Sequence, residues 1–239
     1  MSDENGTLYL YAITDQAQVP LCVGPGLHGI SPYGLVHRDI AAVVSPLPQA
    51  KVLPTEANAW LHESVVEALM AERTVLPARF GTILAGEALV QAALMAHYDN
   101  LVANLRCLRG RVELGLRVLW DDDEPSESSR QPTNSSGRAY LLARFEEQRL
   151  DRAWRERAGA LAAELHNTLA QKAADSTYQV LLTPRLLLTA AYLVERDQLT
   201  TFKAAVHSLR EDHPILRFLF TGPWPAYSFA RIALRIAQG

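Results

Sequence analysis

Residues 24–29, "GPGLHG", have the letter pattern of a dinucleotide-binding glycine fingerprint. That fingerprint works only when a helix N-terminus follows it and points at the pyrophosphate. Here Pro32 and Gly34 follow, and the chain continues into segments that have the composition of strands. We therefore interpret residues 24–29 as a loop without a phosphate site.

Residues 121–124, "DDDE", are a second candidate, because clustered carboxylates suit a hard cation such as magnesium or calcium. A calcium loop holds its ligands at spaced positions on a tight turn, whereas these four acids are consecutive. The pattern favours solvated charge in a linker over a metal site.

The seven histidines are scattered along the chain. "LHES" at residues 61–64 begins like a zinc-protease motif but lacks the second histidine one turn later. The sequence has no GxSxG elbow, no Walker loop and no CxxC pair. We therefore predict no catalytic residue, no metal site and no cofactor, and we expect that the protein is not an enzyme.

Composition narrows the class of protein further. The chain has 239 residues, a formal net charge of −3 and two cysteines, Cys22 and Cys107. Nothing in this balance suggests nucleic acid or an anionic membrane as a partner, and two cysteines form no disulfide framework. No apolar run reaches the roughly 20 residues of a membrane span, and the polar start lacks a signal sequence. We expect a soluble cytoplasmic protein.

The elements that must position any site fall on two sides of residues 121–137, "DDDEPSESSRQPTNSSG". This segment has five acidic residues against one arginine and no large apolar residue, which is typical of a flexible linker. We predict an N-terminal domain at residues 1–120 and a C-terminal domain at residues 138–239.

The N-terminal part mixes strand and helix patterns. Residues 8–13 read as a strand, and residues 34–44 read as two strands around a turn at Arg38-Asp39. Thr55 is a plausible N-cap for a helix, and a second helix is expected from about Gly86. The helical stripes are Ala57, Leu61, Val65, Ala68 and Leu69, then Val90, Leu94, Tyr98, Leu101, Leu105 and Leu108. A strand with period-two alternation follows from Val112 to Trp120, and together these patterns predict helices on one face of a mostly antiparallel sheet.

The C-terminal part predicts the order α-β-β-α-β. One long helix covers residues 138 to about 173, and a hairpin turns around residues 183–185. A helix at about 195–210 and the strand "ILRFLF" at residues 215–220 complete the order. This is a ferredoxin-like unit without its first strand, so we expect that the domain borrows a strand or modifies the plan.

Two unusual segments remain. Residues 74–84, "TVLPARFGTIL", combine an extended Leu76 before proline with a glycine that permits a sharp turn. Residues 221–229, "TGPWPAYSF", hold three aromatic residues on a corner stiffened by two prolines. For each segment two interpretations stay open: it completes the packing of its own domain, or it forms a docking surface.

These segments and two others resemble motifs of a known family, the gas vesicle accessory proteins called F and L. The family's N-terminal Y-x-Y strand matches residues 9–11, its lPxrFGt segment matches residues 76–82, and its G-x-x-E strand matches residues 110–113. Its tGPWPpYsF motif matches residues 221–229, with Ala226 where the family usually has proline. The resemblance spans essentially the whole chain.

The resemblance implies a two-domain α+β protein. The N-terminal domain would have a ferredoxin-like antiparallel sheet with helices on one face. The C-terminal domain would have a modified ferredoxin-like α+β fold with a long helix.

The resemblance also implies a function at the gas vesicle, the protein shell that gives buoyancy. The protein would bind the hydrophobic main shell protein, act with other gas vesicle accessory proteins, limit aggregation of the shell protein and assist vesicle nucleation and assembly. One alternative is a minor structural component retained in the shell, and a third possibility is an unrecognised enzyme. The candidate partner-binding residues are Pro77, Arg79, Phe80, Trp224, Tyr227 and Phe229.

Overall fold

The computed structural model describes residues 6–16, 21, 23–48, 51–120, 137–181, 183 and 185–231. Helices and antiparallel sheets make this an α+β protein. The chain divides into two compact units, residues 1–113 with 223–239, and residues 114–222. Across the described residues, no helix is long and apolar enough to cross a membrane.

The first unit contains a five-stranded sheet with strand order β2-β3-β1-β4, and β5 also pairs with β1. All of the β1 and β2 pairings in this sheet are antiparallel. Its elements are β1 (Thr7–Asp15), β2 (Tyr33–His37), β3 (Ile40–Pro46), α1 (Glu56–Glu72), β4 (Val75–Pro77), β5 (Ile83–Ala85), α2 (Glu87–Ala96), α3 (Tyr98–Leu108) and the start of β6 (Arg111–Trp120). The predicted hairpin at Arg38-Asp39 is confirmed.

Strand β1 is the centre of the first unit. Every residue of β1 after Thr7 is buried, so both faces of the strand are covered. Tyr9 and Tyr11 share a core cluster with residues of α1, whereas α3 also contacts β1 and its buried leucines lie outside that cluster. The continuous apolar run of β1 is the pattern that burial of both faces of a strand requires.

The start of α1 follows the predicted capping chemistry. Thr55 has an extended backbone, and its Oγ1 accepts a hydrogen bond from the amide of Asn58 at 3.3 Å. The buried face differs from the predicted stripe, because Ala57 is exposed and His62 is buried. The residues of α1 that point into the core are His62, Val65, Val66 and Leu69.

The second predicted helix of this unit is two helices. His97 leaves the helical region, with φ −114° and ψ 11°, between the end of α2 and the start of α3. Tyr98 is fixed just after this break, because its hydroxyl donates to the Asp39 carboxylate and Arg38 lies 4.6 Å above its ring. These contacts with the β2–β3 turn account for a break that helical periodicity does not predict.

The second unit contains a four-stranded sheet with strand order β7-β8-β6-β9. Its elements after β6 are α4 (Gly137–Ala170), β7 (Asp175–Val180), β8 (Leu186–Glu195), α5 (Leu199–Asp212) and β9 (Leu216–Trp224). Strand β6 supplies the first strand that the predicted order lacked, so the order becomes β-α-β-β-α-β, that of a ferredoxin-like unit.

The two compact units divide the chain at positions that differ from the predicted domain boundaries. The first boundary falls within β6 after Glu113, and the second falls within β9 after Gly222. Strand β6 belongs largely to the second unit because Leu114, Leu116 and Val118 are buried in its core. Of the predicted linker, residues 121–136 lie outside the described residues, and Gly137 begins α4. The linker remains a prediction.

Candidate functional site

The first candidate segment turns sharply after β4. Pro77 pairs with Ala12 of β1, and the Ala78 amide donates to the Tyr11 carbonyl at 2.9 Å. The Arg79 carbonyl then accepts bonds from both the amide and the hydroxyl of Thr82, at 3.1 and 2.7 Å. These bonds close a turn that places residues 79–81 at the edge of the sheet.

The second candidate segment is partly strand. Strand β9 continues through Trp224, so only the part of the predicted corner at residues 221–229 that begins at Pro225 lies outside the strand. Proline is compatible with this extension because β9 is an edge strand. After Trp224 the chain makes one helical turn, in which the Ala226 carbonyl accepts the amides of Phe229 and Ala230.

His62 lies between the two segments. Its Nδ1 is 2.9 Å from the Tyr9 hydroxyl, and its Nε2 is 3.2 Å from the Tyr227 hydroxyl. The Phe80 ring packs edge-on, with its centroid 5.9 Å from His62 and 6.3 Å from Tyr9. The Tyr11 ring stacks on His62 at 5.7 Å. We call Tyr9, Tyr11, His62, Phe80 and Tyr227 the His62 cluster.

The hydrogen bonds of the His62 cluster run in one direction. The Gly81 amide donates to the Tyr9 hydroxyl at 3.1 Å, which leaves the hydroxyl hydrogen for Nδ1 of His62. Burial lowers the pKa of His62 to about 4, against a hydrogen bond with the Ala78 backbone that raises it, so the ring is neutral at pH 7. With Tyr9 donating to Nδ1, the single ring hydrogen lies on Nε2, which faces Tyr227. The Tyr227 hydroxyl in turn donates to the carboxylate of Glu63.

The pKa directions agree with a structural role for these bonds. Burial raises the pKa of Tyr9 and of Tyr227, and the charge of Glu63 adds to both effects. Burial also raises the pKa of Glu63, against the hydrogen bond from Tyr227, which lowers it. Both tyrosines therefore stay protonated at neutral pH. Each polar group in the row from Tyr9 through His62 and Tyr227 to Glu63 has its neighbour as a hydrogen-bond partner.

A second anchor holds the C-terminal segment in the first unit. The Ser228 amide donates to Oε2 of Glu113 at 2.7 Å, and its hydroxyl donates to Oε1 at 2.6 Å. Glu113 is the acid of the G-x-x-E strand start, so this carboxylate connects two motifs that are 115 residues apart in sequence. Tyr227 and Ser228 are thus both fixed, one on α1 and the other on β6.

The six predicted partner-binding residues have different environments. Pro77 is buried, and Phe80, Tyr227 and Phe229 are half-buried. Arg79 is exposed, and Trp224 is 44% exposed. The structure therefore brings Phe80 and Tyr227 together in one cluster, while Arg79 and Trp224 present their side chains to solvent.

Three residues of this arrangement were not among the predicted site residues: His62, Glu63 and Glu113. A signal for His62 was available, because residues 62, 65 and 69 share one helical face and the other two are apolar. Glu63 and Glu113 acquire their roles through Tyr227 and Ser228, and pairings over such separations leave no local pattern.

The glycine-rich loop at residues 24–29 packs on the same cluster. The Leu27 amide donates to the Tyr11 hydroxyl at 2.8 Å, and a Cβ at Gly26 would lie 2.2 Å from that oxygen. Strand β2 follows the loop at Tyr33. The segment contains a 3-10 turn at Leu27–Gly29 and leads into a strand as predicted, and close packing explains the glycine at position 26.

An open cleft of about 270 Å³ in the first unit is lined by two aspartates, two arginines and three apolar residues, and its Asp15 pairs with Arg109 at 3.3 Å. Among the described residues, no three His, Cys, Asp or Glu side chains are grouped so that they could hold a metal ion. The acidic run at residues 121–124 lies outside the described residues.

Comparison with known proteins identifies the family. A family model described as "Gas vesicle synthesis protein GvpL/GvpF" matches residues 7–231. The chain belongs to this family. Gas vesicle protein L of Streptomyces sp. (strain CB03234) is 33% identical over 250 residues, which cover 94% of this chain and 93% of that protein. Gas vesicle protein F2 of Halobacterium salinarum (strain ATCC 700922 / JCM 11081 / NRC-1) is 26% identical over 235 residues, which cover 97% of this chain and 95% of that protein.

Solved structures of GvpL/GvpF-family members have the same fold. The crystal structure of the gas vesicle protein GvpF from Anabaena sp. PCC7120 matches with a TM-score of 0.76 and 24% identity, over 95% of this chain and 97% of that chain. The crystal structure of GvpF from Microcystis aeruginosa matches with a TM-score of 0.76 and 20% identity, over 94% of this chain and 99% of that chain. The α+β architecture is therefore that of the family, and the protein has a gas-vesicle-related role.

Proposed function

We propose that this protein is a non-enzymatic accessory factor that binds the hydrophobic main shell protein in the cytoplasm and assists gas vesicle assembly. The family description names gas vesicle synthesis, and relatives over nearly the full length are gas vesicle proteins F and L. A shell subunit with a large apolar surface associates without discrimination before assembly, so a factor that covers this surface limits aggregation.

The observation that carries the proposal is the fixed exposure of Trp224. The residues that follow it are anchored: Pro225 and Ala226 are buried, and Tyr227 and Ser228 are hydrogen-bonded to α1 and β6. Trp224 itself is 44% exposed. A tryptophan on an anchored backbone loses less conformational entropy on binding than one on a mobile segment, which is a property of an interface anchor.

The six predicted residues take two roles in this proposal. Trp224 and Arg79, which are exposed, contact the partner. Phe80 and Tyr227 hold the two segments on His62, and Pro77 and Phe229 fix the backbone on either side. The proposal thus assigns some of the six residues to core packing and the others to docking.

Co-expression with the main shell protein tests the function. We expect a complex in pull-down and a larger soluble fraction of shell protein than without the factor. Absence of both effects, with the factor itself folded, would contradict the proposal.

A matched pair of tryptophan variants tests the site. Trp224→Ala should weaken shell-protein binding at least about tenfold with little change in the melting temperature, because the side chain is nearly half exposed. Trp60→Ala is the control, since Trp60 is a 67% exposed tryptophan on α1 of the same unit. Equal losses for the two variants, or unfolding of Trp224→Ala, would remove Trp224 from the proposed contact.

Fractionation of purified vesicles distinguishes a released factor from a retained shell component. We expect mild washing to remove the protein from intact vesicles. Retention through washes that strip peripheral proteins would assign it to the shell instead.

A further inference from the structure

Strand β7 is the outer strand of the second unit's sheet. Of the strands in the described part of the chain, only β8 pairs with it. Asp175, Thr177, Tyr178 and Gln179 are exposed, so β7 is open to solvent on its side chains as well as at its edge. Such an edge carries backbone donors and acceptors that can pair with another chain.

The hydrogen-bond pattern shows which groups face outward. The Leu181 amide, one residue beyond β7, donates to the Leu187 carbonyl at 2.9 Å, in register with the pairing of Val180 and Leu188. Because antiparallel ladders alternate, the odd-numbered residues of β7 bond to β8 and the even-numbered residues point outward. The Ser176 amide agrees with this assignment, since it bonds the side chain of Asp175 at 2.8 Å.

The usual protections of an edge strand are few here. Natural edges carry lysine, proline, bulges or a covering element. The six residues of β7, "DSTYQV", contain no lysine, arginine or proline, and their register with β8 has no shift. Only the Asp175 carboxylate shields a backbone donor, and it lies at one end.

We propose that β7 pairs antiparallel with β7 of a second copy of this chain, which joins two four-stranded sheets into one. A two-fold axis that preserves the faces of the sheet must pair residues that point to the same side. Such an axis lies at an even-numbered residue of β7, and we place it between the two copies of Tyr178, so that Ser176 of each copy faces Val180 of the other.

The second copy is the occupant that the residues of β7 favour. In this register Asp175 faces Leu181 of the other copy, so the strand's single charge never meets its own image. The pair on the axis is aromatic, and aromatic cross-strand pairs stabilise antiparallel ladders.

Tyr178 is held in position for such a pair. Its ring stacks on His166 of α4 with centroids 3.9 Å apart and an interplanar angle of 20°. His166 is buried, and its Nδ1 is 3.2 Å from the Tyr192 hydroxyl. The tyrosine therefore sits on the helix side of the sheet while remaining 43% exposed.

Cysteine cross-linking tests the register in the full chain, with Cys22 and Cys107 replaced by serine. In the proposed pair, the two copies of residue 178 have Cα atoms about 5.5 Å apart, within disulfide range. Thr177→Cys is the control, because residue 177 faces residue 179 and its two copies lie roughly 8 Å apart, beyond that range. We expect Tyr178→Cys to form covalent dimers at least about tenfold faster than Thr177→Cys under mild oxidation. Equal rates, or no dimers with Tyr178→Cys, would overturn the proposal.

Charge variants test the same contact without a new covalent bond. Tyr178→Lys places two like charges on the axis and should raise the dimer dissociation constant at least about tenfold. Analytical ultracentrifugation measures this constant. Gln179→Lys adds the same charge one residue away, facing Thr177, and should change it less than about threefold. Circular dichroism confirms that both variants are folded. A wild-type chain that stays monomeric at several hundred micromolar would refute the pairing.

Discussion

Both units bury a histidine against a tyrosine, and the two arrangements end differently. In the first unit, His62 of α1 bonds Tyr9 of β1 through Nδ1. In the second, His166 of α4 bonds Tyr192 of β8 through the same atom, at 3.2 Å. Burial lowers the pKa of both histidines.

The two histidines differ in the second contact that each makes: His62 makes a hydrogen bond through Nε2, and His166 makes a stacking contact through its ring face. His62 uses Nε2 to hold Tyr227, which brings the C-terminal segment onto the first unit. His166 instead supports the ring of Tyr178 on an edge strand that is open to solvent. One cluster is closed by the chain itself, and the other supports an exposed residue.

Truncating the two histidines should give the largest contrast. His62→Ala removes a ring that is 1% exposed and takes one of its hydrogen-bond partners from each of the hydroxyls of Tyr9 and Tyr227. We expect a loss of about 2–4 kcal/mol in the free energy of unfolding. His166→Ala loses one hydrogen bond and two stacking contacts, with Tyr178 and Tyr192, and should cost about 1–2 kcal/mol. Urea denaturation, followed separately for each unit, measures both, and equal costs would contradict the comparison.

The pH dependence of stability should follow His62. Its pKa is about 4 in the folded protein against an ordinary 6.5, so the unfolded chain binds the proton first as pH falls. The stabilisation is fully present above about pH 6.5 and decreases toward pH 4, by up to about 3 kcal/mol. Glu63 changes in the opposite direction, because its pKa is raised in the folded protein. The difference between wild type and His62→Gln isolates the histidine, and parallel pH profiles would count against it.

Much of the scaffold could be predicted from local pattern. Helix α1 begins at the cap that Thr55 predicts, and α4 spans Gly137–Ala170, close to the predicted residues 138 to about 173. The α-β-β-α-β order of the C-terminal half also holds, since each element has its own periodicity. These features depend on residues close together in sequence, where propensity and period are informative.

The site could be predicted only in part, because its decisive contacts are long-range. Tyr227 meets His62 across 165 residues, and Ser228 meets Glu113 across 115. The motifs indicated which segments are unusual, but not which aromatic residue packs and which is exposed. Trp224 and Tyr227 differ in that respect although they are three residues apart in a single motif.

Removing single hydroxyls should sharpen the comparison at lower cost. Tyr227→Phe keeps the ring but leaves Nε2 of His62 and the Glu63 carboxylate without the hydroxyl between them. We expect a loss of about 1–2 kcal/mol in the free energy of unfolding. Tyr178→Phe keeps the stacking on His166 at an exposed position and should stay within about 0.5 kcal/mol of wild type. Chemical denaturation ranks the two, and a smaller cost for Tyr227→Phe would show that the hydroxyl relay contributes little.

The smallest expected effect concerns the hydrogen bonds between Ser228 and Glu113, which hold the C-terminal segment on the first unit. Glu113→Gln weakens both bonds to Ser228, and because the pair is exposed the free energy of unfolding should fall by only about 0.5–1 kcal/mol. Local opening is the more sensitive readout: the Ser228 amide should exchange its hydrogen several-fold faster, because a charged acceptor is replaced by a neutral one. Ser228→Ala is the control, since it keeps the amide bond and loses only the hydroxyl. If Glu113→Gln leaves the exchange unchanged, Tyr227 alone holds the C-terminal segment, and the first unit depends on its histidine even more than the second does.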